Sequence, residues 1–267
     1  MTRSAAPPRR LSAANHKSVP AFDWQNLDAY LFDIDGTLLN SEDAVHYDAF
    51  RSALKNIFGV DSRLDNIPVH GNTDIGILRA AVTLAGKHAD FESKLAPAIN
   101  LIRGQVESNK INFRPRLCPA IAELLESLRS RGKIIGVVTG NLETVGWSKL
   151  KAASLDHYFS FGAFCDRCAT RNEIFRQGIQ QARDLLTNSP SAGSASHEES
   201  HRKRKSATHR NAVCIVGDTP SDIAAARANQ VPIIAVATGI YPYEDLARLH
   251  PDLCLRSCEE LTSTVSS

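Results

Sequence analysis

Four short apolar runs, each ending in turn residues, constrain this chain more than any other feature. Ala29–Phe32 (AYLF) runs into DIDGT, Lys133–Val138 (KIIGVV) into TGN, Ala212–Val216 (AVCIV) into GDTPSD, and Val231–Val236 (VPIIAV) into ATG. A strand that is apolar on both faces belongs inside a sheet covered by helices on both sides, which describes parallel α/β architecture. Helical patterns over Ile121–Ser130, Val145–Ala153, Asn172–Leu186 and Ser221–Ala228 supply the covering helices. The expected fold class is α/β, with a doubly wound parallel sheet.

The gap between the first two runs is too long for one crossover. Ser41 to Arg116 shows no strand pattern but three amphipathic ones, at Val45–Phe58, Thr73–Ala85 and Phe91–Val106. A parallel crossover needs a single helix, so the surplus predicts an inserted all-helical domain over 41–116. The core is then 27–40 and 117–267, with Pro115 and Pro119 at the exit from the insertion.

Two segments cannot build a core. Residues 1–26 are expected to be a disordered tail. Its first eighteen residues carry Arg and Lys with no acidic residue, and Pro7 and Pro8 would interrupt an amphipathic targeting helix. Residues 187–210, TNSPSAGSASHEESHRKRKSATHR, contain no bulky apolar side chain and read as a flexible low-complexity insertion. Its HRKRK run has no interleaved aromatic residue, so a solvated loop is favoured over a nucleic-acid site.

The net charge of the 267-residue chain is +2, and no apolar run approaches the length of a membrane span. Neither nucleic acid nor a membrane surface is expected as the main partner; the chain is expected to be a monomer or homodimer. Six scattered cysteines fit reduced thiols in a cytoplasm. Cys165 and Cys168 form a C-x-x-C pair, but zinc would need two further ligands that the neighbouring sequence lacks.

The chemistry-bearing residues follow the strands. Ligands of open parallel sheets bind outside the carboxyl ends of the strands. In Asp33-Ile34-Asp35-Gly36-Thr37, extended backbone turns both carboxylates the same way, and Gly36 lets the chain turn sharply. Two carboxylates that close repel, and a divalent cation on one separates their proton affinities. The ionised one can attack phosphorus; the other can carry a proton for a leaving alkoxide. Thr139-Gly140-Asn141 offers a hydroxyl and backbone amides for phosphoryl oxygens, although such residues also cap helices. Asp218 and Asp222 follow another strand and can complete an oxygen-rich Mg²⁺ site; Asp222 can instead cap the helix starting near Pro220.

DIDGT, TGN and GDTPSD, in this order and spacing, resemble the first, second and fourth motifs of the haloacid dehalogenase (HAD) superfamily. The resemblance extends over Leu27 to Ser257. TGNLETVGWSKLKAASL, GDTPSDIAAARANQVPIIAVATG and Gly71-Asn72-Thr73-Asp74 are similar to the phosphoglycolate-phosphatase-like branch. It implies a Rossmann-like core with a helical cap inserted after the first motif. It also implies Mg²⁺-dependent hydrolysis of a small-molecule phosphate monoester through an aspartyl phosphate. Asp33 would be nucleophile and metal ligand, and Asp35 the acid/base whose backbone carbonyl also meets the metal. Thr139 would bind the phosphoryl group, and Asp218 would be a further ligand. The departure is the third motif, where most relatives carry Lys followed by Pro and this chain has Thr170-Arg171-Asn172-Glu173, similar to the Arg-Asn of some members of this branch. Arg171 is the candidate cation; Arg167, Lys149 and Lys151 are its rivals.

Other chemistries on this scaffold are a sugar phosphomutase and a haloacid dehalogenase. The latter needs neither a metal nor an acid/base Asp, so Asp35 and Asp218 count against it. A non-catalytic phosphate-binding regulator would not be expected to keep all four motifs.

Overall fold

A computed structural model describes residues 22–168, 170–188 and 212–262. Its centre is a six-stranded parallel sheet built from β1 (Ala29–Phe32), β4 (Ile134–Val138), β5 (Phe161–Ala163), β6 (Val213–Gly217), β7 (Ile233–Val236) and β8 (Leu253–Leu255). Their spatial order is β5-β4-β1-β6-β7-β8. The chain therefore builds outward on one side of β1, returns, and builds outward on the other. Side chains alternate across a strand, and here both faces are dry. Leu31 and Ile215 pack with Ile174, Phe175 and Ile179 of α6 (Arg171–Asn188) and with Ile223 of α7 (Pro220–Ala228). Tyr30, Phe32 and Val216 face Leu124, Leu125 and Leu128 of α4 (Ile121–Ser130). The α/β, Rossmann-like class is the fold observed.

Three helices fill the expected insertion over 41–116: α1 (Val45–Ala53), α2 (Asp74–Leu84) and α3 (Phe91–Asn109). One wider turn over Leu54–Phe58 prolongs α1, and it stops at Gly59, whose φ of +65° is left-handed. A small antiparallel ribbon carries the chain out and back, β2 (Leu39–Ser41) pairing with β3 (Pro115–Leu117). Neither strand of this ribbon was expected from the sequence, where the stretch to Arg116 reads as strand-free.

The tail boundary also moves. Within the expected tail of 1–26, Trp24–Asn26 forms a helical turn, Trp24 is buried, and the Tyr30 hydroxyl donates to the Trp24 carbonyl. A large indole placed over the α4 face of the sheet anchors this turn; residues 1–21 lie outside the described residues. At the other expected insertion, α6 continues through Thr187 and Asn188, because the helix outlasts its apolar stripe; 189–211 lie outside the described residues. Among the described residues no helix is long and apolar enough to cross a membrane.

Candidate active site

The reversal of strand order falls at β1, between β4 and β6, and the three loops leaving these strands meet there. The Asp33 N–H donates to Val216 O at 3.0 Å, so sheet pairing runs into the loop and fixes the first carboxylate. Gly36 then turns the chain at φ +83°, and a Cβ there would lie 2.2 Å from Asp218 Oδ2. Both the conformation and the space demand glycine. Thr37 Oγ1 donates to Asp218 Oδ1 at 3.1 Å, tying the β1 loop to the β6 loop.

At the end of β4, Asn141 spends its whole amide inside the site. Its Nδ2 donates to Thr139 Oγ1 and to Asp35 Oδ2, both at 2.8 Å, and its Oδ1 accepts from Lys149 Nζ at 3.0 Å. Lys149 lies on α5 (Glu143–Ala152) and is only 3% exposed, yet its ammonium stands 2.7 Å from both Asp35 oxygens. Arg171, first residue of α6, donates from Nη2 to Asp33 Oδ2 at 2.5 Å and from Nε to Asp222 Oδ1 at 2.7 Å. The two aspartates of DIDGT thus have separate cations, Arg171 on Asp33 and Lys149 on Asp35. Arg167 lines an outer groove with Cys168 and Gln180, and Lys151 is exposed.

Asp222 is engaged on both oxygens. Besides Arg171, it receives the Thr219 N–H at 2.9 Å and the Thr219 hydroxyl at 2.6 Å on Oδ2, closing a capping box at the start of α7. Carboxylate oxygens of Asp33, Asp218 and Asp222 lie within 4.8 Å of one another, all three side chains buried. Such an oxygen cluster suits a hard divalent cation, and three carboxylates around one guanidinium leave negative charge for it to offset. Burial pushes Asp218 well above the usual carboxylate range, and the neighbouring Asp222 and Asp33 push it further. Burial also raises Asp33, against the pull of Arg171. Asp35 moves the other way: burial would raise it, but Lys149 and Asn141 outweigh that and hold it low.

Facing these groups across a cavity of about 380 Å³ are His46, Tyr47, Phe50, Leu64 and Val69 from the helical segment. That segment is fastened to the β4 loop. The Asp74 N–H donates to Gly140 O at 2.8 Å, while Asp74 Oδ2 accepts from Leu142 N at 2.7 Å and lies 3.2 Å from His46 Nε2. Thr73 caps α2 by accepting the Gly76 N–H at 3.0 Å. The sequence signalled Asp74 only through its GNTD motif and Lys149 only as a rival to Arg171; nothing in it signalled His46. Of the C-x-x-C pair, Cys165 is buried with its thiol pushed up by burial, and Cys168 Sγ donates to Gln177 Oε1 at 3.1 Å. Neither joins a potential metal-binding group among the described residues.

The family model described as haloacid dehalogenase-like hydrolase matches residues 30–183, more than half of the chain, and a HAD-hydrolase-like model matches 192–261. The chain belongs to the haloacid dehalogenase-like hydrolases. Solved structures of HAD-type fold align along most of this HAD hydrolase. A predicted phosphatase from Clostridium acetobutylicum is 20% identical, with 90% of this chain and 98% of that chain covered and a TM-score of 0.59. A predicted phosphoglycolate phosphatase from Haemophilus somnus 129PT is 21% identical over 90% and 98%, at a TM-score of 0.58. A β-phosphoglucomutase from Clostridium difficile is 17% identical over 88% and 93%, at 0.59. At such identities the likeness speaks for the fold alone. Among curated proteins, none matches this HAD hydrolase by sequence.

Proposed function

We propose that this HAD hydrolase cleaves small-molecule phosphate monoesters with the help of Mg²⁺, through a phosphoryl group carried on Asp33. One observation bears most weight. A buried carboxylate at the head of the sheet, Asp33, is paired with a buried guanidinium at 2.5 Å, and a second, more exposed carboxylate follows two residues later at the same cavity. A purely structural acidic turn would not spend a buried arginine and a buried lysine on two adjacent carboxylates.

In this reading an Asp33 oxygen attacks phosphorus as the ester P–O bond breaks, and the leaving oxygen takes its proton from Asp35. Asp35 then removes a proton from the water that attacks phosphorus, freeing phosphate and restoring Asp33. Thr139, Gly140 and Asn141 would receive phosphoryl oxygens, and Arg171 would offset charge on the transferring group. Asp33 and Asp218 side chains with the Asp35 backbone carbonyl would hold the metal. Asp222, already bonded to Arg171 and Thr219, would support that set more than ligate. When bound, Mg²⁺ supplies positive charge that keeps Asp33 ionised beside an anionic substrate. The helical segment over 41–116 would act as a cap, closing on the leaving group with His46, Tyr47 and Phe50.

A screen of phosphate monoesters with and without Mg²⁺, with Asp33→Asn as the blank, tests this reading. It expects Mg²⁺-dependent release of phosphate from at least one ester class. Release of halide from a haloacid, or full phosphatase activity in the blank, contradicts it.

A further inference from the structure

Lys149 belongs to none of the four motifs, and its environment is unusual. A lysine ammonium taken out of water loses several kcal/mol of hydration, so a buried lysine normally answers a buried carboxylate. Its partner here is only half-buried: the Asp35 side chain is 42% exposed toward the cavity, while that of Lys149 is 4% exposed. Water already reaches much of the Asp35 carboxylate, so stability alone gives little reason to bury the lysine. The bond geometry gives one. Lys149 Nζ touches both Asp35 oxygens at 2.7 Å and Asn141 Oδ1 at 3.0 Å, and Asn141 Nδ2 in turn reaches Thr139 Oγ1 at 2.8 Å. A continuous chain of contacts, Thr139–Asn141–Lys149–Asp35, joins the hydroxyl of the β4 loop to the carboxylate at the cavity.

We propose that Lys149 is a positioning residue that fixes the Asp35 carboxyl group in register with the loop holding the phosphoryl group. This deepens the phosphatase reading above and rests on it. A carboxyl group on an exposed chain rotates freely; here Lys149 and the Asn141 amide confine it from two sides. What they secure is the placement of Asp35 against the leaving oxygen and not its hold on a proton, since the same contacts favour the carboxylate. Lys149 itself touches no reacting atom.

The prediction separates substrates by their need for that proton. A p-nitrophenolate departs readily without one, whereas an alkoxide does not. In Lys149→Met, which keeps the buried volume and removes the charge, kcat/KM for an alkyl phosphate should fall at least about tenfold further than for p-nitrophenyl phosphate, within the range that a placed acid contributes. Lys149→Met added to Asp35→Asn should cost nothing more on either substrate, and Lys149→Arg should restore part of the alkyl activity. Equal losses on both substrates, or undiminished losses in the Asp35→Asn background, would overturn the inference, including the case where Lys149→Met merely weakens folding. A wild-type enzyme inactive on every phosphate ester would instead remove the reading beneath it.

Discussion

Asp74 Oδ2 accepts the Leu142 backbone N–H at 2.7 Å, and this single bond joins the first residue of α2 to the loop that follows β4. Both residues are buried, and the reciprocal bond from the Asp74 N–H to Gly140 O makes the tie two-sided. Asp74→Ala leaves a buried donor without a partner, which costs about 1–3 kcal/mol. A lowered melting temperature together with a raised KM is expected, since the loop carrying Thr139 loses its brace. An unchanged melt would show that the Leu142 amide finds another acceptor.

Gly140 is the second half of that tie. A Cβ at this position would lie 2.2 Å from Asn72 O, a backbone atom that cannot swing aside. Gly140→Ala should therefore push the helical segment off the β4 loop and destabilise by about 1–3 kcal/mol, the range for overpacking. Activity should fall more than stability does, because the displaced loop carries Thr139 and Asn141. A fully active Gly140→Ala would mean that the two loops separate during turnover without penalty.

Arg171 sits between Asp33 and Asp222, 9% exposed. Arg171→Ala is expected to lower kcat by about a hundredfold or more, the scale for losing one electrostatic stabiliser. Arg171→Lys should recover part, since a point charge keeps the attraction but cannot fork to two carboxylates. Arg167→Ala, in the outer groove, should be near normal. The reverse pattern in steady-state kinetics would show that the third-motif cation has been placed wrongly.

The central strands were legible because burial on both faces forces continuous apolar runs: AYLF, IIGVV, VCIVG and IIAV are read from the sequence within two residues of their ends. The edge strands Phe161–Ala163 and Leu253–Leu255 are three residues each, and FGA and LCL are too short to show a period. The β2–β3 ribbon hid for the same reason, with Pro115 arguing against a strand. The site residues that follow strands were nameable from motifs. Lys149 was named only as a rival cation to Arg171, because a lysine in the middle of a helix reads as solvated unless tertiary packing buries it. His46 was invisible for a related reason: its meeting with Asp74 joins residues 28 apart across two helices.

Charge repulsion among Asp33, Asp218 and Asp222 predicts a metal-linked stability change. EDTA should abolish hydrolysis, and Mg²⁺ should restore it and raise the melting temperature; saturation at a hundred times Kd adds about 2.7 kcal/mol. Asp218→Asn keeps the buried volume and an acceptor for Thr37 but cannot take up a negative charge, so the metal-free protein should melt no lower than wild type while losing both the Mg²⁺ shift and activity. Full activity in EDTA, or a retained Mg²⁺ shift in Asp218→Asn, would count against Asp218 as a ligand.

The account turns on a phosphoryl group resting on Asp33 between two displacements. Each in-line displacement inverts phosphorus, so two of them retain its configuration. Hydrolysis of the best monoester from the screen, made as a phosphorothioate chiral in ¹⁶O and ¹⁸O and turned over in ¹⁷O-water, reads this from the configuration of the product thiophosphate. Net retention is predicted; net inversion would mean that water attacks the ester in one step and that Asp33 is never phosphorylated.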